Sequence, residues 1–343
     1  MSERKKKATI KDVANHAGVS VTTVSNYLNQ NFLNMSVDTR AVVEHSIKQL
    51  SYYPSIGARA LSRRRMTKTV GIVIPHSIDY TFHHPYFAEV MRGLSSVLES
   101  NGYRAMLLAR DDRSESDLNY LKSLSNGIVD GFVFFDIARK DEYINSFLAM
   151  EVPLMVVGKN PEGEMNYVDT DVVRGALLGT EYLLSKSVER IILLTGPDYM
   201  VFSEQTIAGF EQSVRRLTEK VPAVEIVPGP FLSEFGLKEG RRIFAEKGKP
   251  IAIYSASGQT TLGLMKAAEE FGKKEQLDFF IISFGEHPMV RLAYPAMPFI
   301  KQPEQQIGQL VGYRLMDMIL NAGHICEPII LPLEFVLPET ATR

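Results

Sequence analysis

The side chains best placed to do chemistry in this 343-residue chain are small hydroxyls, amides and cations crowded into its first 65 residues. The segment TIKDVANHAGVSVTTVSNYLN, Thr9 to Asn29, carries Thr, Ser and Asn at close spacing. Basic runs lie on either side of it, RKKK at Arg4–Lys7 and RRR at Arg63–Arg65. Hydroxyls near helix N-termini, together with Lys and Arg, are the donors that hold phosphates. Up to Arg65 there are eleven Lys and Arg against four Asp and Glu, a balance of +7; the whole chain carries −2, which leaves −9 for the remainder. A basic arm on an acidic body suits an arm that meets a polyanion and a body that does not. Contacts of that kind weaken steeply with salt.

Two short helices joined by a tight turn would position those groups. Ile10, Val13, Ala14 and Ala17 recur at helical spacing and give the first helix one apolar side. Gly18 stops that helix where positive φ is easy, and Ser20 caps the next. Val21, Val24 and Leu28 of the second helix face back onto the first. The small Ala14 and Ala17 permit the close crossing of a helix-turn-helix, which lets a second helix enter a major groove. Ser36 caps a third helix with Val43, Ile47 and Leu50 on one face, completing an all-α head over residues 1–54. The linker, 55–68, contains SIGARALSRR. Its Ala and Leu favour helix, but Gly57 and its brevity make it marginal in water unless it has something to pack against.

From residue 69 the chain alternates short apolar runs with amphipathic helices. One set of runs is Val70–Pro75, Tyr103–Ala109, Val129–Asp136 and Val152–Gly158; a second is Glu189–Pro197, Glu225–Gly229, Pro250–Ser257 and Phe279–Gly285. Near-continuous apolar strands with helices between them indicate parallel sheets covered on both faces. The expected body, 69–343, is therefore α/β with two doubly wound subdomains and a ligand cleft beyond the carboxyl ends of the strands. The N-subdomain is expected over about 69–160 plus 292–322, and the C-subdomain over about 161–291 plus 323–343.

Other classes are disfavoured. No apolar run approaches the length of a membrane span, and the polar N-terminus lacks a signal peptide's apolar segment, so a cytoplasmic protein is expected. The single Cys326 has neither a disulfide partner nor a metal-binding companion. There is no P-loop, no GxGxxG at a strand–helix turn, no HExxH and no nucleophile elbow. The pair His83–His84 lacks a third ligand at metal spacing. No catalytic residue, metal or cofactor is expected.

The head, linker and body together resemble the lactose-repressor (LacI/GalR) family of bacterial transcription regulators. The resemblance runs from about Ala8 to the end and rests on the helix-turn-helix segment, on SVDTRAVVEHSIKQLSYYPS and on ARALSRR. In the body it rests on GIVIP, HPYFAEVMRGL, VDGFVFF, TGP followed by AGF, and IKQP at Ile300–Pro303. It implies a periplasmic-binding-protein-like body and a homodimer on a near-palindromic operator in double-stranded DNA. Val21, Thr22 and Asn26 match positions that face base edges. Thr9, Ser20, Thr23, Ser25, Asn29 and Ser36 match positions that hold the phosphate backbone. Ala58, Leu61 and Ser62 fall in the hinge, where Leu61 matches the leucine that wedges into the minor groove and kinks the DNA.

Departures from the family pattern are equally informative. Asn26 stands where many relatives carry Arg or His, and Asn pairs with adenine where Arg prefers guanine. In the cleft, Met200, Phe202 and Thr206 stand where sugar- and purine-responsive members use polar or Arg ligands, and Gly258 and Gly285 stand where Asp is common. The expected cleft residues are Phe82, His83, Met200, Phe202, Thr206, Phe231, Gln259, Gly285 and Glu286, with Phe231 stacking on a ligand. Unmodified hexoses and purines, whose polar atoms must be paired, are expected to bind weakly or not at all. The input is then either an unusual small-molecule effector in the cleft or a protein co-regulator docking on the body. A solute-binding module without DNA function is the alternative from another class, and the basic head weighs against it. No heptad repeat follows Pro338, so a coiled-coil tetramerisation segment is not expected.

Overall fold

The computed structural model describes residues 8–28, 31–33, 35–50, 52, 66–74, 81–109, 123–125, 127–135, 147, 152–159, 166–186, 188–216, 222–246, 250–321 and 327–337. A helical head up to Thr67 and an α/β body from Lys68 form separate compact units. In the head, helices α1 (Ile10–Ala17), α2 (Val21–Leu28) and α3 (Val37–Gln49) each begin at a hydroxyl. Thr9 forms a capping box with Asp12. Ser20 Oγ accepts from the Thr23 N–H at 3.1 Å, and Ser36 Oγ from the Thr39 N–H at 3.2 Å. Each cap contributes about 1 kcal/mol by satisfying an amide that the helix leaves unpaired. Gly18 ends α1 at φ 65°, a left-handed backbone that a Cβ would disfavour.

Val13, Ala14, Val24, Val43 and Tyr52 form the head's small core, with Leu28 and Ile47 packed against it. Val21 departs from expectation: it is 41% exposed and is not part of the head's core. Helices of eight residues cross over little more than one turn, so Val24 is buried at the crossing while the first turn of α2 stays clear.

Two six-stranded sheets make the body. The first holds β1 (Thr69–Ile74), β2 (Arg104–Ala109), β3 (Gly131–Phe135), β4 (Leu154–Val157), β5 (Tyr167–Thr170) and β11 (Ile329–Leu331), in the order β11-β5-β4-β3-β1-β2. The second holds β6 (Arg190–Thr195), β7 (Ala223–Pro228), β8 (Ile251–Ser255), β9 (Phe279–Phe284), β10 (Phe299–Lys301) and β12 (Glu334–Val336), in the order β12-β10-β9-β8-β6-β7. The strand order is the same in both, and every pairing is parallel except that of β12 with β10. Helices α4 (Pro85–Ser100) and α10 (Glu304–Leu320) bury Val90, Leu94, Val311 and Leu315 against the first sheet. Phe147 packs on its other face, edge-on to Phe132 and Phe134 at 4.8 and 5.2 Å. The second sheet has α5 (Val172–Leu184) and α6 (Val201–Arg215) on one face, and α7 (Ser233–Ala245) and α8 (Gly258–Glu270) on the other. A short α9 (Pro288–Ala293) follows β9.

All eight anticipated apolar runs are strands, whereas β5, β10, β11 and β12 were not anticipated. At three or four residues each they are too short to show a period, and unlike the equally short β4 they do not sit in a long apolar run. They also redraw the subdomain boundaries. Tyr167–Thr170 and Ile329–Leu331 belong to the first sheet, although 161–291 and 323–343 were assigned to the C-subdomain. Phe299–Lys301 pairs in the second sheet, although 292–322 was assigned to the N-subdomain. The chain passes between the sheets three times, after Thr170, Lys301 and Leu331, and each passage follows a short strand, β5, β10 or β11.

Burial also shapes the loop before β9. There Glu275 pairs with Phe279 in an isolated bridge, and desolvation pushes its carboxyl up to about 7.

Candidate functional site

Among the head's elements, α2 carries no charged residue. Val21 and Thr22 are exposed and Ser25 and Asn26 half-buried. Their spacing puts all four within an arc of about 140° on one face of the helix. Thr9, Ser20 and Ser36 are exposed helix caps, and Ser20 shares a hydrogen bond with Thr23 Oγ1 at 2.9 Å. A hydroxyl that accepts from a helix N–H still has its own proton to donate. Ser36 likewise shares a hydrogen bond with Thr39 Oγ1 at 2.8 Å, and Thr9 donates to Asp12 Oδ2 at 2.7 Å, so a phosphate at Thr9 would have to displace that carboxylate. Asn29, Ala58, Leu61 and Ser62 lie outside the described residues.

In the body a cleft opens at the carboxyl ends of both sheets, where α/β folds place ligands. From the first sheet it is lined by Phe135, Val157, Gly158 and Asp169, with Tyr86 and Phe87 from the first turn of α4. From the second it is lined by Phe231, Ser257, Gln259, Phe284 and Gly285, with Met200, Phe202 and Gln205 at the start of α6. Phe202 stands edge-on to both Phe231 and Phe284, at 5.7 and 5.0 Å, and Phe87 meets Phe135 at 5.0 Å. Each half thus contributes an aromatic wall.

The polar groups are held by backbone. Asp169 accepts from the N–H groups of Lys159 (2.9 Å) and Thr170 (2.7 Å). At the passage between sheets, Thr170 Oγ1 donates to Gln302 Oε1 at 3.4 Å. Ser257 Oγ caps α8 by accepting from the Gln259 N–H at 3.2 Å. Burial pushes the Glu304 carboxyl above its ordinary range; its own backbone N–H pulls it down, Glu89 and Glu286 push it up, and Lys301 pulls it down. Burial also holds the imidazole of His287 below its usual range.

Six of the expected cleft residues are brought together: Met200, Phe202, Phe231, Gln259, Gly285 and Glu286. Three are not. Thr206 is fully buried one turn further along α6 and donates to the Phe202 carbonyl at 2.8 Å, while Gln205 reaches the cleft instead. Phe82 and His83 are exposed on a turn, where Phe82 meets the edge of Phe87 at 5.5 Å; Thr81 and His84 on either side of them line the cleft. The two glycines are fixed by backbone and packing. Gly285 has φ +82°, and a Cβ at Gly258 would approach His287 Cβ to 2.9 Å. Sequence reasoning missed Tyr86, Phe87, Phe135, Phe284, Asp169 and Gln302. The residues just past an apolar run, at the carboxyl end of a strand, were the available signal.

Residues 9–55 match the family described as bacterial regulatory proteins, lacI family, and residues 67–228 match the periplasmic binding proteins and sugar binding domain of that family. The transcriptional regulator MalR of Streptococcus pneumoniae is 30% identical over 289 residues, which is 83% of this chain and 86% of the relative. The chain belongs to the LacI family. Catabolite control protein A of Staphylococcus xylosus is likewise 30% identical, over 94% of this chain and 96% of its own length. The lac repressor dimer, solved with operator and an anti-inducer, shares the fold: TM-score 0.79 at 22% identity, covering 98% of this chain and 99% of that one. Membership makes this chain one of the family's DNA-binding transcription regulators. Among the described residues no helix is long and apolar enough to cross a membrane.

Proposed function

We propose that this LacI-family chain is a cytoplasmic repressor that binds a near-palindromic operator as a homodimer and is controlled by a ligand in the body's cleft. The observation that carries the DNA half of this reading is the uncharged outer face of α2. It presents Val21, Thr22, Ser25 and Asn26 between hydroxyl-capped helix starts. Val21 and Thr22 would offer methyl groups to thymine and Asn26 a bidentate amide to adenine, while Ser20, Thr23 and Ser36 donate to phosphates. The aromatic-walled cleft supports the ligand half. A ligand acts on DNA affinity only through its differential affinity for two arrangements of the body, and closing a cleft between two sheets supplies such arrangements.

Selection of the full chain on random duplex DNA tests this directly. Two inverted half-sites with adenine at the Asn26 position, bound with a steep salt dependence, are expected. Enrichment of a single unrepeated half-site would remove the homodimer, and no enrichment would remove the sequence-specific reading.

A further inference from the structure

We propose that the cleft takes a small organic cation, an amine or ammonium compound with an apolar or aromatic body. The inference rests on the reading of the cleft as the effector site. It starts from an imbalance of negative over positive charge. Among the described lining residues three carboxylates, Asp169, Glu286 and Glu304, face one lysine, Lys159. Backbone amides satisfy Asp169, and Glu286 has Arg291 at 3.5 Å. Glu304 stands in no salt bridge among the described residues.

A second observation is independent of charge. Gln259 lines the cleft at 8% exposure, and its Oε1 is buried without a hydrogen-bond partner. A buried acceptor left unpaired costs free energy that an incoming N–H recovers. The walls complete the chemistry: Phe202, Phe231 and Phe284 line the cleft as an aromatic cluster, and aromatic rings attract a cation at close range, more strongly once water is excluded. Anions meet the carboxylates. A neutral polyol would gain nothing from the excess of carboxylates, and glycines stand at 258 and 285 where further polar side chains are excluded by packing and backbone.

Calorimetry on the full chain with two matched pairs tests the proposal: glucosamine against N-acetylglucosamine, and phenethylamine against 3-phenylpropionate. In at least one pair the cation should bind about tenfold tighter or more. That advantage should shrink in Glu304→Gln, with melting curves confirming a folded body. Gln259→Leu reads the uncharged acceptor separately and should weaken the same cation. Equal or tighter binding of the neutral or anionic members overturns the proposal, as does the absence of cation binding at about 10 mM. N-acetylglucosamine binding that is lost in Phe231→Ala keeps the cleft as the effector site and removes only the cation. A cation that binds equally well to Phe231→Ala and leaves operator affinity unchanged removes the cleft reading itself.

Discussion

The head and the cleft solve recognition in opposite ways. In the head, the described groups assigned to DNA lie between Thr9 and Ser36, each placed by the helix it sits on or caps. Lining residues of the cleft come from segments scattered between Thr81 and Glu304 and meet only when two sheets are complete. The electrostatics of the two regions differ as well. The shifted carboxyl and amine of the head, Glu44 and Lys48, are exposed partners at 2.6 Å, whereas burial alone moves Glu275 in the body. Local placement tolerates substitution one residue at a time, while a site assembled at long range answers to the stability of the whole body.

The largest test of that contrast is Asn26→Ala. It should cost about 2–6 kcal/mol on specific DNA over two half-sites, with little change on random DNA and none in the melting of the body. Equal losses on both DNAs would make Asn26 a backbone contact. Next comes pH. Glu275 rises from the ordinary 4.5 to about 7, so the folded body holds a proton there that the unfolded chain has released. Stability is therefore lost as pH rises from about 4.5 through 7, and the full penalty of about 3 kcal/mol applies above 7. Glu275→Gln should recover most of it at pH 8 and nothing at pH 4, read as the difference in urea midpoints between variant and parent. A pH-independent difference would sink this assignment.

A smaller effect is expected at Gly285. Its φ of +82° makes Gly285→Ala cost about 1–2 kcal/mol in body stability, with no change in affinity for random DNA. A neutral outcome would show that the cleft rim relaxes freely. Smallest of all, Ser36→Ala should remove one cap from α3 and lower the head's stability by about 1 kcal/mol, seen in amide exchange of α3 while the body's amides stay protected. A matching loss in the body would mean that the two regions unfold together.

The same contrast explains what was legible in the sequence. Gly18, Ser20 and Ser36 act on neighbours three or four residues away, so the head's helices and turn can be read locally. The eight strands set in apolar runs announce themselves by composition. Phe231, Gln259 and Glu286 were legible through family resemblance. Thr206 was misassigned because one helical position decides between Gln205 facing the cleft and Thr206 facing the core. Asp169 and Gln302 were missed because β5 and β10, the short strands that carry the chain to them, have no periodicity of their own.

Those short strands have a consequence for biosynthesis. β11 and β12 follow every other described strand in the chain, and each adds to one side of a different sheet, against β5 and β10. Until both have left the ribosome, β5 and β10 stand as unpaired edges that the finished sheets cover, and unpaired edges are templates for association with other chains. Neither half of the body can finish until the segment from Ile329 onward is made, although most of the first sheet has been translated long before. A nascent chain stalled before Ile329 would carry a finished DNA-binding head on a body still open to aggregation.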